Sequence, residues 1–588
     1  MLSRLGLFVV VSCAAAACGP HHTEGANDAN GGTDGRVDGA PLPHTLQSID
    51  VEPQNQIVQL DLNTAGTQDF TVTAVYADGV NEDVTAQATW TVGNPMVGAF
   101  SNATLEIPAF TASTAITSPI SATVGMLTGQ AQITIAAYRQ TGTTQDFFFI
   151  LPYQDPAGPV TKPLAFSTSV PALDVFFLMD TTGSMAGEIV NLQNALTTSV
   201  IPGIQAAVTN SQFGVGSLQD FPIQPYGVAS SANDCGVGLD QPDQPLRVLQ
   251  GITGTTSQVQ AGVSALSTGG APIGCGDDWP EGGIEAIYQA ATGEGLTTPA
   301  PTNIPANHTG VGGVGFRQGT MPVIVAITDA ASHAKDEPGQ CSLTNDVKAY
   351  AGDVANVAHT RAQAKAAVAG ICGRVVGIAA IQGNPFTPDC TPEEYLSDLA
   401  TSSGARVPPV AWDVGTRPAG CGAGQCCTAQ NGGGRAPDAD GLCPVVFDVA
   451  TDGTGVGANI VTGIQMLTRF ATFDVTSDRA GVLTDIDGVA LPTPHTTADF
   501  LTTIIPTGAV VPVPPPVLPT PTFDATAFHT VTPGTVVSFA VNAFNDFVPA
   551  TNQAQIFRAT IRVLAGGCTP LDQRDVLVLV PPSPIIVN

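Results

Sequence analysis

The sequence predicts a multidomain chain in which an α/β, doubly wound domain stands among β-sandwich segments. Three observations carry this expectation. Continuously apolar runs of strand length alternate with helical patterns through the middle of the chain, segments of period-two alternation lie on both sides of them, and 588 residues with 64 Gly and 47 Pro exceed what one core organises.

Charge narrows the partners. Asp and Glu number 49 against 19 Lys and Arg, a formal charge of −30, and that field repels a polyphosphate, which excludes nucleic acid. No uninterrupted apolar run reaches the roughly 18 residues that span a bilayer. Membrane attachment must come from the N-terminus, where Arg4 precedes Leu5 to Val11 and the small residues Ala14 to Ala17 end at Cys18. This stretch resembles a bacterial lipoprotein signal peptide. The resemblance implies removal of residues 1–17, a lipid on the Cys18 thiol, and a place in the cell envelope, at the outer membrane or cell surface. Cys13 is a second cleavage position, and an ordinary secretory signal is the other reading. Lipidation of Cys18 leaves ten cysteines in the mature chain, an even number suited to an oxidising compartment. Residues 18–45, rich in Gly, Asp and Asn, read as a flexible linker, with His21 and His22 solvated inside it.

Residues 46–137 carry short alternating segments (Ile57 to Leu62, Phe70 to Tyr76, Ala88 to Val92, Gln132 to Ile135) separated by turn residues, the pattern of a sandwich. Val72 to Gly79, with Asp83-Val-Thr and Ala88-Thr-Trp, resembles the group 2 bacterial immunoglobulin-like domain, which implies a spacer or adhesive module.

Residues 173–469 change architecture. Val175 to Met179 reads as a strand buried on both faces, followed by a helix whose Ile189, Leu192, Leu196 and Val200 share one side. A helix after Pro280, the strand Val323 to Ile327, a helix across Val354 to Val368, the strand Val375 to Ile381 and a last helix around Ile460 to Leu467 continue the alternation. Such sheets bind ligands beyond the carboxyl ends of their strands.

Beyond the first of these strands stands Asp180-Thr-Thr182-Gly-Ser184. On a strand-to-helix loop these side chains can converge on a hard cation. The segment resembles the metal-ion-dependent adhesion site of a von Willebrand factor A domain. Three further segments, in order, sharpen the resemblance to the A-like domain of integrin β subunits: Phe213 to Pro222 with Pro225-Tyr226, Asp278-Trp-Pro280-Glu281-Gly-Gly-Ile, and Gly315-Phe-Arg ahead of Asp329-Ala-Ala-Ser-His333. The resemblance implies that Thr182, Ser184 and Glu281 contact Mg²⁺ or Mn²⁺ directly, that Asp180 and Asp329 act through water or hydrogen bonds, and that an acidic side chain of a protein ligand completes the coordination. It further implies a neighbouring Ca²⁺ held by Asp220, Asp278, Glu281 and the carbonyl of Pro280, although Gly276 stands where that family has an asparagine ligand.

The ligand-specificity loop of integrins corresponds to the stretch between Cys235 and Cys275, which a disulfide would brace. Cys421, Cys426, Cys427 and Cys443 are read as disulfide partners over a zinc site. Residues 138–172 and 470–588 return to strand patterns, and Pro533 to Val541 resembles the hybrid domain into which integrin β subunits insert their A-like domain. One interrupted sandwich is expected, with two separate modules, linked through Pro512 to Pro521, as the competing arrangement. The functional expectation is a non-enzymatic, surface-anchored adhesin or receptor. A structural scaffold with a metal-fixed interface is the second reading. Neither a Gly-x-Ser-x-Gly elbow nor a His-Glu-x-x-His pair is present, and His333 reads as a loop residue.

Overall fold

A computed structural model describes residues 44–142, 145–229, 241–382, 388–512 and 518–585. Cys13, Cys18, Cys235 and the middle of the Pro512 to Pro521 stretch lie outside the described residues, as does most of the linker.

The chain is multidomain and rich in strands. Its α/β unit is a six-stranded sheet in the order Arg247–Thr253, Ser211–Leu218, Leu173–Asp180, Met321–Thr328, Arg374–Gln382, Val446–Ala450. All neighbours run parallel except the first pair. Leu173–Asp180 and Met321–Thr328 are buried along their whole length, because helices cover both faces of the sheet. Strand order reverses between these two strands, and a crevice opens there at their carboxyl ends.

The helix after Asp180 runs Ala186–Ala195, and its apolar side continues through Leu196 and Val200 in a wider π turn before Ile201–Ala207. Pro202, at the start of that last piece, has no N–H for the ladder. The helix expected across Val354 to Val368 is two helices, Gly352–Val357 and Arg361–Gly370. Thr360 separates them: its hydroxyl accepts from the Gln363 N–H and the Gln363 side chain accepts from the Thr360 N–H, a capping box that starts a new helix.

Residues 44–138 fold into three small sheets around Phe70, Val72, Leu105, Ile120 and Ile133. Beyond them, strands from the two ends of the chain pair with one another. Phe147–Ile150 lies parallel to Thr569–Val580, and Val160–Ser167 antiparallel to Val536–Ala543. The resulting sheets enclose Phe149, Phe166, Phe528 and Phe539, and the chain leaves them after Ser167 and rejoins them at Phe473. Tyr138 stacks on Phe148 at 4.2 Å beside Ile556, Leu577 and Leu579, which joins this layer to the N-terminal sheets.

Cys421 pairs with Cys427 and Cys426 with Cys443, so these four sulfurs are committed to disulfides and a zinc site there is set aside. Cys372 and Cys568 tie the α/β unit to the strands that follow it. Cys275 is also disulfide-bonded, while Cys341 and Cys390 are buried free thiols. Among the described residues no helix is long and apolar enough to cross a membrane.

Candidate functional site

Three loops meet in the crevice. The first follows Leu173–Asp180. Asp180 is buried, and its Oδ1 accepts from the N–H and Oγ1 of Thr182 at 2.9 and 2.8 Å, while its Oδ2 accepts from Thr328 Oγ1 at 2.7 Å. These bonds fix the turn that brings Thr182 inward and leaves Ser184 exposed at the mouth.

The second loop precedes the helix Gly283–Thr292 and carries Asp278, Pro280 and Glu281. It is docked on the third loop, which follows Met321–Thr328: the Glu281 N–H donates to Ala331 O and the His333 N–H to Glu281 O, both at 2.8 Å. Ser332 Oγ accepts from Ile284 N–H, and Ser184 Oγ donates to Asp329 Oδ1 at 3.1 Å, closing the circle between the first and third loops.

Thr182, Ser184, Glu281 and Asp329 thus line one cleft of about 200 Å³ together with Gly276 and Asp278. Glu281 Oε2 and Asp278 Oδ1 are buried with no hydrogen-bond partner among the described residues. Burial drives the Glu281 carboxyl well above its ordinary range, and the charges acting on it, Asp180, Asp220, Asp243 and Asp278, all push the same way. Asp329 is pushed up to about 7 by burial and then by Asp180, and burial raises Asp180 as well.

Such a concentration of buried carboxyl oxygens either takes up protons or holds a cation. Among the described residues no three His, Cys, Asp or Glu side chains form a metal-binding group by themselves. The donors that meet here are mixed, two hydroxyls with carboxylates, the hard-oxygen chemistry that suits Mg²⁺ or Mn²⁺. Thr182, Ser184 and Glu281 could hold such an ion directly, with Asp180 and Asp329 bracing them.

Asp220, Asp278, Pro280 and Glu281, the set expected around Ca²⁺, are adjacent but differently engaged. Asp220 Oδ2 meets His333 Nδ1 at 2.7 Å, and its Oδ1 accepts from Tyr350 Oη at 2.6 Å and from the Phe221 N–H. Asp278 Oδ2 lies 3.3 Å from His333 Nε2, which also meets Val347 O at 3.1 Å. The ring is fully buried, stacked on Tyr350 and edged by Tyr226. Burial opposes its proton, but Asp220 and then Asp278 outweigh that and push His333 up to about 10. Pro280 is buried between Trp279 and Glu281.

One residue of this neighbourhood, Asp243, went unremarked in the sequence. Asp243 is buried and accepts from the N–H groups of Val228, Cys275 and Gly276, which fixes the Cys275–Gly276 lining of the cleft. Glu188, in the first turn of Ala186–Ala195, is pushed up to about 8 by burial, with Asp329 and Asp180 adding to it. Gly315-Phe316-Arg317 belongs to the far end of the sheet, where Arg317 grips the buried Asp174 through its N–H and Nε at 2.6 and 2.8 Å.

No protein-family model matches the sequence, and no curated protein matches it. Solved structures with a related chain trace include a von Willebrand factor type A protein from Catenulispora acidiphila, at 10% identity over 75% of this chain and 75% of that one, TM-score 0.26. The pilus adhesin SpaC from Lactobacillus rhamnosus GG, in its open conformation, is similar at 12% identity over 76% of this chain, TM-score 0.28, and the match spans about half (51%) of SpaC's length. Whole-chain superpositions this loose carry no weight in assigning a site, which stands on the loop geometry above.

Proposed function

We propose that this chain is a surface adhesin or receptor of the von Willebrand factor A kind, close to the integrin β A-like domain, that captures a protein ligand through one divalent cation. The observation that carries the reading is the buried, unpartnered Glu281 Oε2 facing a cleft shared with Thr182, Ser184 and Asp329 at the switch point of the sheet. Mg²⁺ or Mn²⁺, held there by Thr182, Ser184 and Glu281 and braced by Asp180 and Asp329, would supply an electrophilic centre with a position left toward solvent. A carboxylate from the ligand fills that position, so the ion overcomes the repulsion between an acidic partner and this acidic surface.

In this reading the strands on either side of the α/β unit form one interrupted, hybrid-like sandwich, the residues 46–137 an immunoglobulin-like spacer, and a lipid on Cys18 the anchor to the envelope. The pairing of Phe147–Ile150 with Thr569–Val580 and of Val160–Ser167 with Val536–Ala543 supports the first of these. The role is binding, without catalysis.

The test is capture of surface proteins from cell-envelope extract by the mature chain in Mg²⁺, in EDTA, and with Asp180→Ala. Binding that EDTA and the substitution both abolish is expected, with an unchanged circular dichroism spectrum. Capture that survives both overturns the reading.

A further inference from the structure

We infer that the His333 ring takes the place of a second cation in this chain, so that Asp220 and Asp278 are tied together by a side chain and the protein binds one divalent ion where the integrin-like resemblance implies a second beside it. The inference rests on the proposed first ion and concerns the constellation next to it.

A Ca²⁺ ion needs six to eight oxygens drawn within about 2.3–2.6 Å of one centre. Here the two carboxylates converge on a ring instead: Nδ1 is 2.7 Å from Asp220 and Nε2 is 3.3 Å from Asp278. The other Asp220 oxygen is taken by Tyr350 Oη and the Phe221 N–H, and Nε2 is shared with Val347 O. Nothing in this arrangement is loosely placed. The His333 N–H donates to Glu281 O, and Tyr350 and Tyr226 wall the ring on two sides.

A second observation shows that position 276 does not supply the missing oxygen. Gly276 occupies the position of the missing ligand with a φ of +68°, and a Cβ built there would stand 2.5 Å from Glu281 Oε1 and 3.2 Å from Thr182 Cγ2. A ligating side chain at 276 would therefore collide with the groups assigned to the first ion. Asp277, the next residue, is exposed. With the ring in place the residues present do not suit a second ion, because a buried imidazole whose two nitrogens face the buried Asp220 and the half-buried Asp278 already fills the space between those carboxylates.

The consequence is a first site whose second and third loops are braced without calcium. Native mass spectrometry of the mature chain, titrated in turn with Mg²⁺, Mn²⁺ and Ca²⁺, tests it. One ion per chain at saturation is expected. Two ions in the unmodified chain overturn the inference and leave the proposed adhesion site standing; none overturns the proposed site on which it rests. His333→Asn, purified from calcium-containing medium, replaces the ring between Asp220 and Asp278 with an amide oxygen and should bind one additional ion, with a melting temperature that rises in Ca²⁺ relative to EDTA, while the unmodified chain shows no such calcium response. A folded His333→Asn variant that still counts one ion also overturns the inference, and the count on the unmodified chain stands whether or not the variant folds.

Discussion

At the scale of single residues, the candidate site is a problem of charge taken out of water. Asp180, Glu281 and Asp329 all have carboxyl groups raised by burial, Asp329 to about 7 from an ordinary value of 3.8. A folded-state pKa above the unfolded one means that the ion-free native chain holds protons, between about pH 4 and pH 7, that the unfolded chain has released. Stability of the ion-free protein should therefore fall as pH rises through that window, and a bound cation, which favours the deprotonated carboxylates, should remove the fall. Melting temperatures in EDTA and in saturating Mg²⁺, compared between about pH 5 and pH 7.5, check this; parallel curves would contradict it. Protons and metal compete for the same oxygens, so apparent Mg²⁺ affinity should weaken below about pH 7 as Asp329 takes up its proton. Gly276→Ala places a methyl group against Glu281 and should weaken Mg²⁺ binding by about tenfold or more in calorimetry, with secondary structure unchanged.

At the scale of elements, the sheet separates stability from binding. Asp174 and Arg317 close the amino-terminal end of Leu173–Asp180, far from the crevice at its other end. Arg317→Met leaves the buried Asp174 without its counter-charge and should cost about 3 kcal/mol of unfolding free energy. Mg²⁺ affinity measured on the same variant should stay within about twofold of the original. The elements that could be read from the sequence were those whose apolar pattern is continuous or helical: Val175 to Met179 and Val323 to Ile327 are flanked by helices on both faces and must be apolar throughout. Arg247–Thr253 escaped notice because it is an antiparallel edge strand, half-buried along its length, with neither alternation nor a continuous run. The break before Arg361–Gly370 was written in Thr360 and Gln363, a capping pair that the apolar spacing across it obscured. His333 read as a loop residue, and a loop residue it is. Its burial against Asp220 and Asp278 arises from chain segments 113 and 55 residues away, which one sequence does not relate to each other.

At the scale of the whole molecule, the α/β unit is held to the strands beside it by its two chain connections and by a third covalent tie, Cys372 to Cys568. The tie closes a loop of 196 residues, and Cys372→Ser with Cys568→Ser should lower the unfolding free energy by about 2–5 kcal/mol while leaving ion affinity unchanged. It also restrains any swing of the α/β unit against its neighbours. Solution scattering with and without Mn²⁺ should give one profile for the parent chain and a broader distribution of dimensions for the double variant. The pairing of strands more than 350 residues apart, such as Val160–Ser167 with Val536–Ala543, had no signature in local pattern, and only the likeness of Pro533 to Val541 to a known second half suggested it. The measurement that bears most directly on all of this is anomalous diffraction from crystals grown in Mn²⁺. A single strong peak bounded by Thr182, Ser184 and Glu281 is predicted; no peak there, or those three side chains turned toward different surroundings, would contradict the account.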